Sequence, residues 1–282
     1  MTDTERAGSG WYAGLDPDDE AAATAAIRDG EAAEPRDWPR LAVDAGFAES
    51  EAEYYGLLRT AAIGTARAAV RELEGANDRQ LVHAVRALED CTRTANELAE
   101  RLAEWGGSVD GAAGTGVEYA QELVDSQPGD PVEERLVGLA ERIVDLTDEA
   151  AALRGFIERT APSVAPNLSA LAGPVLAARL LSQAGSLEAL AKLPSGTVQV
   201  LGAEDALFAH LQGGAPSPKH GVIYTHEYVR GTPPAERGSA ARALAGKLTI
   251  AARVDHYSGE RRPELERDLA ERIERIRERE ES

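Results

Sequence analysis

The chain has 282 residues, 43% of them hydrophobic, with 49 acidic against 30 basic side chains and a formal net charge of −19. That length supports one large domain or two to three small ones, and no apolar run reaches the roughly 18 residues that span a bilayer. One cysteine, Cys91, excludes an intrachain disulfide and a thiolate metal cluster, and the start Met1-Thr-Asp-Thr-Glu lacks the basic and apolar regions of a signal peptide, so a cytoplasmic location is expected.

In chain order, residues 1 to about 15 read as a small, polar, mobile lead. Asp16-Pro17-Asp18-Asp19 reads as an N-cap with Pro at the first helical position, opening a short Ala-rich helix that Gly30 ends. A Pro-containing loop, Glu34 to Pro39, follows, and Ser50-Glu-Ala-Glu53 is a capping box before a helical run to about Glu74. From Asp78 the apolar positions Leu81, Val85, Leu88, Cys91, Ala95, Leu98, Leu102 and Trp105 recur at three- and four-residue steps, which predicts a long amphipathic helix ended by Gly106-Gly107. A Gly-rich stretch of weak periodicity leads to Asp130-Pro131-Val-Glu133, a second helix start. Its seam is Val132, Leu136, Leu139, Ile143, Leu146, Ala150, Leu153 and Ile157, in alternating steps of four and three. A 3.5-residue period keeps one stripe facing a partner helix, so this is a coiled-coil signal, and the two rods are expected to pair antiparallel.

After Pro162 the texture changes to short pieces separated by Gly and Pro. Helices are predicted near Leu168–Gln183, Ser186–Leu193, Glu204–Gln212 and Glu236–Val254, with Thr197–Leu201 and Val222–Tyr228 as short extended pieces. From Arg261 the tail alternates acids and bases on a helical pattern and reads as a solvated helix. The expected architecture is mainly α: a short N-terminal domain over 1–60, a coiled-coil hairpin over 61–161, a helical module over 162–260 and a charged helical tail over 261–282.

Charge is unevenly distributed. Residues 162–259 hold six acids and eight bases, a net of +2, while the remainder holds 43 acids and 22 bases, a net of −21. The module also carries all three lysines and four of the five histidines. The acidic remainder has the look of a salt-adapted surface, although solubility charge alone accounts for it.

No catalytic constellation stands out. His210, His220, His226 and His256 lie in no HExxH arrangement, and Gly246-Lys247-Leu248 lacks the loop and Ser/Thr of a phosphate-binding P-loop. Gly8-Ser-Gly10 precedes no βαβ unit. No catalytic residue, metal site or bound cofactor is therefore expected.

The informative blocks run from Ala165-Pro-Asn-Leu-Ser-Ala-Leu-Ala-Gly-Pro174 through Ala184-Gly-Ser-Leu187, Leu201-Gly-Ala-Glu-Asp-Ala-Leu-Phe208 and Pro218-Lys-His-Gly-Val-Ile-Tyr224. Arg237-Gly238 and Ala241-Arg-Ala-Leu-Ala-Gly-Lys-Leu-Thr-Ile-Ala-Ala-Arg-Val-Asp255 complete the series. In this order and spacing they resemble the Nop domain, and Asp78-Arg-Gln-Leu-Val-His-Ala-Val85 with Glu100-Arg-Leu-Ala-Glu-Trp105 resembles the first coiled-coil helix of archaeal Nop proteins. The resemblance covers roughly two thirds of the chain. It implies the non-catalytic scaffold of box C/D guide ribonucleoproteins directing 2'-O-methylation of rRNA and tRNA. Implied partners are the guide RNA, its kink-turn-binding protein, the methyltransferase fibrillarin, which owns the S-adenosylmethionine chemistry, and a second copy joined through the coiled coil. The rival expectations are a Nop-domain adaptor of another ribonucleoprotein, splicing-factor-like, and an RNA-modifying enzyme.

For RNA contact the residues singled out are Glu204, Lys219, His220, Arg237, Arg242, Lys247 and Arg253. Lys219-His220 sit between Pro218 and Gly221, a stiff entry and open exit suited to phosphate and base contacts. Arg242 and Arg253, eleven apart, share a helix face and Lys247 lies off it, so one face does not use all three and an ion-pair role stays open for some. An acid at Glu204 favours a helix N-terminus whether or not it touches RNA. The family usually has Lys where Asp205 and Ser239 stand, so the resemblance carries no RNA contact to those two. The tail Glu264–Glu281 replaces the strongly basic tail of many relatives.

Overall fold

The computed structural model describes residues 10–278 apart from 31, 33, 112 and 215, and every described element is helical. The chain divides into two compact units, Met1–Ala76 and Asn77–Ser282.

The first unit contains helices α1 (Glu20–Asp29), α2 (Trp38–Asp44) and α3 (Glu51–Glu74). Asp19, not Asp16, is the N-cap of α1, its carboxylate accepting from Ala22 N–H at 2.9 Å, and Gly30 is the C-cap. Pro39 lies inside the first turn of α2, so the expected loop ends one residue before Trp38. The Ser50 hydroxyl accepts from Glu53 N–H at 3.2 Å, and the Glu53 carboxylate returns to Glu49 N–H at 2.6 Å. Of the lead expected to be mobile, residues 1–9 lie outside the described residues, whereas Trp11, Tyr12 and Leu15 pack with Phe47 and Tyr54 into an aromatic core. Tyr12 stacks on Phe47 at 5.3 Å, and Trp11 Nε1–H donates to the Tyr54 hydroxyl at 3.1 Å. Helix α3 runs unbroken through residue 60, and the division between units falls at the Gly75-Ala76 break.

The second unit begins with the hairpin of α4 (Asn77–Val109), α5 (Gly116–Val124) and α6 (Pro131–Val164). Asp130 caps α6 through Val132 and Glu133 N–H at 2.7 and 2.9 Å. Leu81, Val85 and Leu88 share one apolar cluster with Ala150, Ile157 and Ala161. Ala95, Ala99 and Leu102 share another with Leu136, Ala140 and Ile143. The start of α4 therefore meets the end of α6, and the pair is antiparallel. Of the predicted seam, Leu136, Ile143, Ala150 and Ile157 are buried. Leu139, Leu146 and Leu153 are only partly buried, and Val132 is exposed. The stripe rotates toward Ala140, because the third helix, α5, packs against α4 and α6 and shifts the buried face.

Gly106-Gly107 does not end α4, which continues to Val109. Gly106 is buried where a Cβ would come within 2.5 Å of the Tyr119 hydroxyl, so it serves the close approach of α5. Trp105, expected on the buried stripe, is 40% exposed.

The rest of the unit is a stack of short helices: α7 (Pro166–Ala172), α8 (Pro174–Ala184), α9 (Leu187–Lys192), α10 (Ser195–Val200), α11 (Glu204–Leu211), a 3₁₀ turn (Val222–Thr225), α12 (Glu227–Arg230), α13 (Arg237–Tyr257) and α14 (Glu264–Arg277). The helix expected over Leu168–Gln183 is two, broken at Gly173, whose φ of 78° only glycine adopts freely. The extended pieces expected at Thr197–Leu201 and Val222–Tyr228 are helical. Their β-branched residues gain burial instead, Val198 at 1% and Ile223 at 0% exposure. Helix α14 also departs from the solvated helix expected of the tail, because Leu265, Leu269, Ile273 and Ile276 are all buried in the unit's main core. No helix among the described residues is long and apolar enough to cross a membrane.

Candidate nucleic-acid interface

The predicted RNA-facing loop is held by backbone. Gly221 N–H donates to Gln199 O at 2.9 Å, Val222 N–H to Leu201 O at 2.8 Å, and the Gln199 side-chain amide to Lys219 O at 2.7 Å. Gly221 is not an open exit. A Cβ there would lie 1.9 Å from Leu201 O, so the strand of chain can approach only as glycine. Gly221→Ala is expected to push the loop off its seat and to lower stability by about 2 kcal/mol, as overpacking does, with the loss read as a lower thermal midpoint. An unchanged midpoint would mean that the loop does not need this seat.

The seat presents Lys219, exposed, and His220, half-buried. The His220 ring stacks on Tyr224 at 4.5 Å and 23°, and the Arg237 guanidinium lies 5.7 Å from the same Tyr224 ring. Burial holds the His220 imidazole below its ordinary value, and the Arg237 and Lys219 charges push the same way, against a backbone hydrogen bond that favours the charged form. Arg237 Nε–H donates to Thr232 O at 3.0 Å and its Nη2 to Arg230 O at 3.4 Å. Two predicted residues, His220 and Arg237, thus meet around one tyrosine that sequence reasoning did not single out, and Lys219 adjoins His220 in the chain. A flat neutral ring, a second ring and an edge of cationic donors are the parts that stack on an unpaired base and grip its phosphate.

The other predicted residues separate. Gly238 lies beside the Lys219 side chain, where a Cβ would come 3.7 Å from Lys219 Cδ, and Arg242 is one turn on from Gly238, so Arg242 continues that face. Arg242 is exposed. Neither it nor Lys219 makes a side-chain hydrogen bond or ion pair among the described residues. Lys247, off the face, pairs with Asp268 of α14 at 2.7 Å. That bond pulls the Asp268 carboxyl below its ordinary value. Arg253 donates to Ala191 O at 3.0 Å and Leu193 O at 3.4 Å, which satisfies the end of α9. Glu204 accepts from Gly202 N–H at 2.9 Å and stands in the first turn of α11. These three do structural work within the chain.

Two further features were missed. Helix α11 buries none of its residues and exposes Leu207, Phe208 (62%) and Leu211 (72%). Behind the loop, His226 Nδ1 accepts from Tyr228 N–H at 3.1 Å, so Nε2 carries the proton and donates to Leu171 O at 3.0 Å. Burial holds the His226 imidazole below its ordinary value, against the Leu171 hydrogen bond and the Glu227 charge, which favour the charged form. Among the described residues no group of three or more His, Cys, Asp or Glu is placed to hold a metal ion.

The family model described as "Nop: snoRNA binding domain, fibrillarin" matches residues 80–278, which takes in the hairpin, the seated loop and α14. The chain belongs to the Nop family. It is 36% identical over 237 residues to an uncharacterized NOP5 family protein of Methanocaldococcus jannaschii, covering 71% of this chain and 57% of that one. Over 125 residues it is 40% identical to Nucleolar protein 56 of Schizosaccharomyces pombe, 44% of this chain and 25% of that protein. The Nop chain thus spans little more than half of its archaeal relative's length and matches a quarter of the fungal one. Among solved structures, that of a fibrillarin/Nop5p complex contains a chain similar to this Nop protein at 28% identity and a TM-score of 0.53, covering 90% of this chain and 91% of that chain.

Proposed function

We propose that this Nop protein is the non-catalytic scaffold of an archaeal box C/D guide ribonucleoprotein, bridging the guide RNA and its kink-turn-binding protein to fibrillarin. The observation that carries the reading is the convergence of Lys219, His220, Tyr224 and Arg237 on one seated loop of a Nop domain. That surface is small and its module only weakly basic, so RNA is held by short-range contacts, with a partner protein supplying the rest. The exposed Leu207, Phe208 and Leu211 of α11 fit the protein half of such a composite surface, the kink-turn-binding protein. The first unit is assigned to fibrillarin, in keeping with the partner named for the similar solved structure. A second copy is assigned to the far end of the hairpin, where Trp105, Val109 and Val132 are exposed.

In a particle assembled from guide RNA, target RNA, kink-turn protein and labelled S-adenosylmethionine, methyl transfer is expected only when fibrillarin and this chain are both present. Transfer by this chain without fibrillarin would overturn the scaffold reading. Recovery of a different class of RNA with the chain from cells would favour an adaptor of another ribonucleoprotein.

A further inference from the structure

Helix α14 is anchored by four apolar side chains, Leu265, Leu269, Ile273 and Ile276, each 7% exposed or less. Its last residue, Arg277, adds nothing to that apolar seam. Instead its side-chain hydrogen bonds and ring contact among the described residues fall on one short segment: Nε–H donates to Thr232 Oγ1 at 3.2 Å, Nη2 donates to Glu227 O at 3.4 Å, and the guanidinium lies 6.0 Å from the Tyr228 ring. Thr232 is 1% exposed and is used at both ends. Its hydroxyl donates to Tyr228 O at 2.7 Å while accepting from Arg277, and its carbonyl accepts from Arg237 Nε–H at 3.0 Å. Arg237 in turn faces Tyr224, on which His220 is stacked. A continuous path of direct contacts therefore leads from the C-terminal helix to the loop.

We propose that Arg277 is a positioning residue for the RNA-facing stack: it fixes the turn after Thr232 so that Arg237 lies against Tyr224 and His220 is held ready for a base. The inference rests on the reading that this loop faces RNA. An arginine is required because one planar fork must reach a hydroxyl and a carbonyl while its face covers an aromatic ring, which the point charge of a lysine does not do. The bland alternative is that a cation in the last turn of α14 merely complements the helix dipole. That role would be served equally by Arg275, whose Nε–H returns to Glu271 O on its own helix.

The test compares the full-length chain with Arg277→Ala, Arg277→Lys, Thr232→Val and Arg275→Ala. The His220 ring signal is followed by NMR across pH, and binding is measured to a kink-turn RNA carrying its bound protein. In Arg277→Ala and Thr232→Val the His220 signal is expected to lose the ring-current displacement from Tyr224, and its pH midpoint to rise toward the ordinary imidazole value as Arg237 drifts away. Arg275→Ala should match the wild type, and Arg277→Lys should fail to restore the His220 signal. Binding should weaken about tenfold in Arg277→Ala and stay within twofold in Arg275→Ala. A His220 signal unmoved in folded Arg277→Ala overturns the positioning proposal, whatever the binding does. A signal that moves while binding holds leaves the positioning contact standing and overturns the RNA-facing reading. Should Arg277→Ala unfold, Arg277→Lys, which keeps the charge and the stem, is judged by the same two readouts and the same outcomes.

Discussion

Asp255→Ala is expected to cost the protein about 3–5 kcal/mol of stability, seen as a large drop in the urea midpoint of the chain. The Asp255 carboxylate is 8% exposed and accepts from Asn167 N–H at 3.0 Å, Asn167 Nδ2 at 2.6 Å and Leu168 N–H at 2.8 Å. It thereby caps α7 from the far end of α13. The cap is needed because Ala165 has no polar side chain to offer and Pro166 no N–H. Asn167 passes the order on, donating to Glu260 O at 2.7 Å and accepting from Arg262 N–H at 2.6 Å and Arg261 Nη1 at 3.3 Å. Truncation leaves two backbone donors, Asn167 N–H and Leu168 N–H, without partners in a dry place and removes one of the bonds of the Asn167 amide, which keeps Glu260 O. Hydrogen bonds to a charged group contribute roughly 1.5–3 kcal/mol each, and the three are not additive because they share one acceptor. Against a total that is typically about 5–15 kcal/mol, the loss is large. Asp255→Asn keeps the shape but turns an NH₂ toward a donor, so a smaller loss of the same sign is expected. A cost below about 1 kcal/mol for Asp255→Ala would show that water or a rearranged Asn167 replaces the carboxylate.

The hairpin was legible in sequence because its signals agree at every level: an acid and a proline start α6, and apolar residues recur in both rods at steps that a partner helix can bury. What sequence missed are places where a tertiary neighbour overrides a local preference. Gly106 reads as a helix stop until Tyr119 is seen to need the space. Pro162 reads as a boundary, yet α6 continues through it to Val164, with Ala161 and Ala165 buried on either side. In α14, Leu265, Leu269, Ile273 and Ile276 form a one-per-turn stripe that the surrounding charges disguised as a solvated face. The site was legible to a similar depth. Lys219, His220 and Arg237 meet as a loop and a helix start should bring them, but Thr232 and Arg277 act through carbonyls and a hydroxyl, which have no residue-type signature. Nor does a sequence distinguish Arg242, which stays exposed, from Lys247 and Arg253, which the fold has already engaged.

That last distinction sets the variant with the largest expected effect on binding. Lys219→Glu combined with Arg242→Glu reverses the two exposed cations that lie one helical turn apart around Gly238 and have no internal partner among the described residues. Folding should be untouched, because neither side chain supports the structure. The affinity for kink-turn RNA with its bound protein is expected to fall by about 100-fold or more, which corresponds to about 2.7 kcal/mol. The salt dependence carries the sharper information. Each phosphate neutralised on a single strand contributes roughly 0.7 to the slope of log K against log salt, so the wild type, using few cations, should show a shallow slope and the double variant one shallower by about one to one and a half. Long-range attraction cannot substitute, since a body of −21 outside the module repels the RNA, and at about 1 M salt the Debye length of roughly 3 Å leaves only contact-distance groups effective. Lys247→Gln, which breaks an internal ion pair with Asp268, should change binding by less than a factor of about two. If Lys247→Gln weakens binding as strongly as the double reversal, the RNA lies along the α13–α14 side of the module, and the seated loop is not its docking face.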